Sequence, residues 1–498
     1  MLFPPDVPQR GNVTVQPDFR KCGSRPPDGD SRSNSWSVPR SSTVRKPAPE
    51  LLTALKTRQC LVALQAFVYI DEAMPVAERI SAQRILFPWI LSPQKDLLFY
   101  IGSALGGWLY VAIIVYAILT LENPLKEALA IVRFGEFQIP LTLQLLVVLS
   151  WGLILDAPHV WATLARTLFD PDEWKVRKRE IWISFAWFFV GPAAILLPYL
   201  LGSLTAPFGL VLPATVLSFG ALTYFVFFRL WAYYHVVRQH WGFFSLYKRK
   251  AGDHGSLVNR VDWWFFNLSL YMPLVMFMTS PFYLKTPGYM DIGLMAPIVG
   301  KWSLATLLYP AAWALYLGVI LFYLGFQLKL WLGGSPLNGS KLLYMALIVP
   351  LHLVAYSHPI MAVFLVPLVT VGHNIQYHCI IYSYAQNKYR ARTEEQFRWV
   401  RGLFKNFWVY ALVGFIFTLV LYRGPWIDFL KHFTGWRLDK SLLNSLAMMA
   451  GVADPASLSL GEKIFAACIT GFAMQHYYLD AKIWRVSKDK NVQKYLKV

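Results

Sequence analysis

The sequence predicts an all-α fold, a polytopic transmembrane helix bundle of about ten spanning helices. Three observations predict it. Of 498 residues, 56% are hydrophobic and only 15% charged, where a soluble domain carries nearer a quarter charged. Mean hydropathy is +0.41, and the apolar residues gather in blocks of roughly 18 to 28, the length that crosses a bilayer as helix. The net charge of +19 sits in short runs at the ends of those blocks. Membrane proteins fix their topology in that way, so the charge points to membrane lipids and away from nucleic acid.

The elements follow in chain order. Residues 1–50 are rich in Pro, Ser, Gly and Arg and read as a disordered tail, without the apolar stretch of a signal peptide. Residues 51–97 alternate apolar and charged groups (LLTALKTRQCLVALQAF, then AERISAQRILFPWIL) and predict an amphipathic, interfacial segment. The bundle is expected over 98–485. Its spans are placed at 98–120, 139–166, 181–203, 208–236, 262–284, 303–328, 341–356, 358–384, 405–422 and 462–481. The seventh span is short and meets the eighth at Ser357-His358-Pro359, which suggests a tight hairpin. Residues 486–498 form a basic tail.

Charge then orients the spans. The segments after the second span (Arg166, Lys175, Arg177, Lys178, Arg179), the fourth (Arg238, Lys248, Arg249, Lys250, Arg260) and the eighth (Lys388, Arg390, Arg392, Arg398, Arg401) are basic. So is the C-terminus (Lys482, Arg485, Lys488, Lys490), whereas the links after the third and seventh spans carry no Lys or Arg. Both termini are therefore expected in the cytoplasm. Cys22, Cys60, Cys379 and Cys468 are scattered, so neither a disulfide framework nor a thiolate metal site is indicated.

Ionisable groups inside a membrane are functional candidates by default. Of the ten histidines, all but His254 and His432 lie in or beside spans. His159, His235, His373 and His476 fall in the C-terminal half of the second, fourth, eighth and tenth spans. These four run from outside to inside, so the histidines share a depth near the cytoplasmic face. Helical spacing adds their neighbours. Asp156, His159, Thr163, Arg166 and Asp170 form one stripe; His235 aligns with Arg238 and Gln239, His373 with Gln376 and Tyr377, and His476 with Asp480 and Trp484. His240 lies about 140° round from His235 and is expected at headgroup level. His378 is rotated away from His373, and His352 and His358 are placed toward the outer leaflet.

Imidazole with carboxylate suits iron or another transition metal such as Mn, Zn or Cu, and converging helices are a usual way to hold it. The expected ligands are His159, His235, His373 and His476. Asp156 and Asp480 are expected as co-ligands or as acceptors of the second imidazole N–H, with Tyr377 or Gln376 positioning oxygen or substrate. Against this stand plainer readings. A buried histidine can simply be a hydrogen-bonded packing residue. Arg166, Arg238, Arg249 and Lys250 read as snorkelling topology markers, and Arg166 with Asp170 as the point where the helix meets water. Pro158 is expected to kink the second span.

Without a P-loop or G-x-G-x-x-G, nucleotide use is unsupported, and the absence of G-x-S-x-G and H-E-x-x-H argues against a serine hydrolase or zincin. The membrane D-A-P-H at Asp156–His159, with further histidines on later spans, resembles the Brp/Blh group, integral-membrane oxygenases that cleave β-carotene to retinal at a histidine-held iron. The match covers Pro158-His159 and departs from that group's pattern at Val160, Trp161 and Ala162. D-x-P-H-x-x-x-T-x-x-R and Y-H-x-x-R-Q-x-x-G are similar to stretches of uncharacterised bacterial multi-pass proteins. The resemblance implies a bacterial inner-membrane oxygenase, using iron and dioxygen on a lipid, isoprenoid or other hydrophobic small molecule. Two alternatives stay open: a proton-coupled transporter or channel with Asp156/His159 and His476/Asp480 as relays, and a haem- or pigment-binding membrane subunit.

Overall fold

A computed structural model describes residues 85–135, 137–253, 255–286, 294–300, 302–421, 459–486 and 488–497. The chain divides into Met1–Ile70 and Asp71–Val498, and every described residue belongs to the second unit. The expected disordered tail, and the interfacial segment as far as residue 84, lie outside the described residues.

The fold is mostly helical, at 79%. Each predicted span coincides with a helix: α1 Pro93–Thr120 and α2 Leu143–Thr167, α3 Pro171–Thr205, α4 Ala214–Ala251 and α5 Ser256–Thr279. There follow α6 Leu304–Leu332, α7 Gly339–Ala355, α8 Leu365–Tyr389, α9 Phe407–Leu421 and α10 Leu460–Ile483. A last helix, α11, covers Lys490–Leu496. Five of these (α1, α2, α3, α4 and α6) are long and apolar enough to cross a membrane, and a sixth is if Glu395–Leu403 and α9, bent by 85°, act together. The helices α5, α8 and α10 are long enough but less apolar. Their buried faces carry polar groups: Asp262 on α5, His373, Asn374 and Gln376 on α8, and Gln475, His476 and Asp480 on α10.

Local sequence explains the boundaries. Asp170 caps α3 by accepting from the Asp172 N–H, with Pro171 in the first turn, where its missing N–H costs nothing. Ser459 and Glu462 form a capping box on α10, reciprocally satisfying orphan donors. Gly252, at φ 69°, terminates α4 in the left-handed conformation that glycine adopts freely. In α2, Val148–Asp156 is π-helical and returns to α-helix at Ala157. Pro158 lacks the N–H that would extend the ladder, and the widened stretch ends directly before it. The expected kink is thus a π-segment that delivers His159 at the start of a regular helix.

Short strands interrupt the helical plan. β1 (Ile85–Leu86) lies in the expected interfacial segment 51–97, whose described residues 85–92 contain no helix and whose residues 93–97 open α1. β2 (Ala128–Phe134) and β3 (Phe137–Thr142) form an antiparallel hairpin turning at Gly135, φ 58°, so the second span begins at Leu143 rather than residue 139. β4 (Pro297–Val299) pairs with β5 (Trp302–Ser303), and β6 (Leu337–Asn338) pairs with β1.

Packing assembles the site. α10 lies along α3 and also meets α2 and α4, while α8 meets α1, α2 and α4. A Cβ on Gly471 would stand 2.6 Å from the Phe188 carbonyl oxygen, so the α10–α3 approach requires glycine, as small residues allow between membrane helices. The four histidine-bearing helices therefore surround one interior. The basic tail is not free chain: α11 buries Val492 and Leu496, and the Tyr495 carbonyl accepts from Asn387 of α8 at 2.7 Å.

Candidate metal centre

His159 stands on α2, His235 on α4, His373 on α8 and His476 on α10, and all four side chains are buried. The structure brings them together. Ring centroids are 4.7 Å apart for His159–His373, 4.3 Å for His159–His476 and 4.9 Å for His235–His476. Two groups of donors are close enough to hold a metal ion: His159, His235 and His373, and His235, His476 and Asp480, with the ligand atoms of each group within 4.8 Å of one another.

Thr163 Oγ1 meets three groups: Asp480 Oδ1 at 2.8 Å, Tyr377 OH at 2.5 Å and His476 Nδ1 at 2.6 Å. A hydroxyl has one proton. With Asp480 or Tyr377 taking that proton, the oxygen accepts from His476 Nδ1–H, which leaves His476 Nε2 as a bare lone pair. That atom has no hydrogen-bond partner and lies 3.6 Å from Asp480 Oδ2. Thr163 thus orients the ring, as outer groups commonly do for metal-ligating imidazoles. Tyr377 donates to the same Asp480 Oδ1 at 2.5 Å, and Trp484 Nε1 donates to Tyr377 at 3.4 Å. The Gln239 amide donates to Asp480 Oδ2 and, at 2.9 Å, meets His235 Nε2.

On the other side, His159 Nε2 and His373 Nε2 are 3.1 Å apart. Two imidazoles bound to one ion at about 2.1 Å place their nitrogens roughly 3.0–3.4 Å apart, from octahedral to tetrahedral angles. Their Nδ1 atoms, on the far side of each ring, are buried without partners, so the donor set suited to a cation is the Nε2 pair. A cavity of ≈ 100 Å³ opens beside His159, His235 and His373, walled mainly by apolar residues such as Leu230, Leu365 and Val369, with Asp156, Arg229 and Asn374 also in its lining.

No family model, no curated protein and no solved structure matches this chain. The centre is read from its own residues.

The other expected residues distribute as follows. Asp156 lines the cavity with Asn374 and belongs to neither donor group. Gln376 points away from the histidines: its Nε2 donates to the Tyr100 carbonyl at 2.7 Å and to Ser103 Oγ at 3.2 Å. Arg166 is not a snorkelling marker and does not meet water. It is buried, with its guanidinium 3.9 Å from the Trp484 ring and 4.3 Å from that of Tyr384. Asp170 is likewise buried, accepting from Lys388 at 2.5 Å and Tyr389 at 2.6 Å. In both cases α8 and the end of α10 cover the site from solvent, which one helix's pattern cannot reveal. His240 is buried rather than at headgroup level. Its Nδ1 is 2.6 Å from Tyr344 OH, and its ring lies 5.7 Å from His352 and 6.1 Å from His373. His378 pairs with Tyr410 at 2.8 Å, and His358 caps a short helix, Pro359–Val363.

Proposed function

We propose that the chain is an integral membrane metal-dependent oxidoreductase, an oxygenase using non-haem iron on a lipid or isoprenoid. The observation that carries this reading is the convergence of four buried histidines and Asp480 from four helices, beside an apolar-walled cavity. His159, His235, His373 and His476 would hold the metal, with Asp480 completing the set. Bound iron would supply redox chemistry toward dioxygen. The protein's own part is positional: Thr163 fixes the His476 tautomer, Tyr377 keeps a proton against Asp480, and the bundle excludes water while admitting a bilayer-dissolved hydrocarbon beside the histidines. Ten spans, cytoplasmic termini and a bacterial inner membrane complete the proposal, and the charge asymmetry supports the orientation.

The alternatives fit the geometry less well. His159 and His476 share one centre, whereas relay stations of a transporter would be separated along a path. The 3.1 Å contact between His159 and His373 leaves no slot for a macrocycle between them. Purified protein in lipid nanodiscs tests the proposal. It should retain stoichiometric transition metal and consume dioxygen when supplied with a bacterial neutral-lipid fraction, and His373→Ala should hold less metal and lose the uptake. Metal-replete protein with no lipid-stimulated uptake would refute the oxygenase reading, and protein that takes up no metal would refute the metalloprotein reading.

A further inference from the structure

We propose that the centre is dinuclear, with His159, His235 and His373 binding one ion, His235, His476 and Asp480 binding a second, and His235 as the shared corner. The inference rests on the metal-binding reading above and deepens it. The five donors do not form a single group. They divide into two triads, each with ligand atoms within 4.8 Å, that have only His235 in common. An imidazole that has released its ring N–H proton to solvent offers a lone pair on each nitrogen, so His235, as an imidazolate, would serve both triads.

Each triad has donor atoms turned toward its interior. In the first, His159 Nε2 and His373 Nε2 face each other at 3.1 Å; in the second, His476 Nε2 is buried without a hydrogen-bond partner. The second triad has ionic proportions: Asp480 Oδ2 lies 3.6 Å from His476 Nε2 and 3.9 Å from His235 Nε2. Ligands bonded at about 2.1 Å stand roughly 3.0 to 4.2 Å apart as their angle opens from 90° to 180°. The Gln239 amide N–H₂ contacts both His235 Nε2 and Asp480 Oδ2. An ion at the second triad would displace this amide from the His235 lone pair and the carboxylate. The first triad is served separately, with the His159–His373 pair at 3.1 Å and the cavity alongside, so the two ions differ in access. The ion beside the cavity faces substrate, and its neighbour lies in the Thr163–Tyr377–Asp480 network.

The test is metal stoichiometry on the full-length protein in detergent, stripped with chelator and reloaded anaerobically with Mn(II). Wild type should hold two ions per chain and give a spin-coupled Mn(II) signal. His373→Gln and His476→Gln should each hold one ion with an uncoupled six-line spectrum, and His235→Gln should hold less than either. One ion per chain in wild type with a six-line spectrum would overturn the dinuclear assignment while leaving the metalloenzyme reading intact, whereas no bound ion would overturn both. Should a variant fail to fold, as judged by loss of its helical circular dichroism, the wild-type count and spectrum decide the matter alone.

Discussion

At the residue scale the centre depends on groups that touch no metal donor directly or touch it only by one hydrogen bond. Thr163 is the clearest. Its hydroxyl is the partner of His476 Nδ1, so Thr163→Val removes the group that selects the tautomer. Metal affinity is expected to fall about 10- to 100-fold with helicity unchanged, and Thr163→Ser should restore it. A competitive chelator titration measures this, and equal affinity in the valine variant would contradict the assigned role. Gln376 and Tyr377 are adjacent in sequence, yet only Tyr377 reaches the centre. Gln376→Leu should leave metal content intact. It should lower thermal stability by about 1–3 kcal/mol, because the Tyr100 carbonyl and Ser103 lose a buried partner.

At the element scale, α2, α8 and α10 are locked together by buried charge. Arg166 lies between Trp484 and Tyr384 and donates to the Ile483 carbonyl at 3.3 Å. Arg166→Met should destabilise the bundle by about 1–3 kcal/mol, since the buried Ile483 carbonyl loses its donors and Glu173, which keeps Arg177, loses the second of its two cations. A thermal shift assay with Glu173→Gln as the second mutation measures the coupling. At the C-terminus, Asp489 caps α11 and pairs with Arg177. Burial pushes its carboxyl up, but Arg177 and the Val492 and Asn491 N–H groups outweigh that and hold it below the ordinary carboxylate value. A carboxyl lowered by folding stabilises above the unfolded value, about 3.9, and that contribution is lost as pH falls through the folded value. Docking of α11 should therefore persist at pH 5 and loosen below about pH 4, read as hydrogen exchange in residues 490–496.

At the scale of the whole molecule, the extent to which the sequence foretold the structure follows from what each residue's signal depends on. The four histidines stood out because ionisable groups contrast with an apolar background, and their common depth needed only span order. Thr163, Gln239, Tyr377 and Asp480 followed from helical spacing. Choosing between Gln376 and Tyr377 needed the rotation of α8 about its axis, which neighbouring helices set. The burial of Arg166, Asp170 and His240 depends on which helix covers them, and that is likewise absent from a single segment's pattern. The hairpin of Ala128–Phe134 and Phe137–Thr142 arises from local alternation that the surrounding apolar runs obscured. The polar faces of α5, α8 and α10 and the 17-residue length of α7 explain why, among the described residues, only five or six helices are plainly long and apolar enough to cross a membrane although ten segments read as spans.

The central claim is that His159, His235, His373 and His476 bind a transition metal inside the bundle. X-ray absorption at the metal edge, on protein purified with its native metal, tests it most directly. The account predicts a nitrogen and oxygen shell near 2.1 Å with the outer-ring scattering of several imidazoles, reduced in His159→Ala. A sulfur shell, or a spectrum without imidazole scattering, would contradict it.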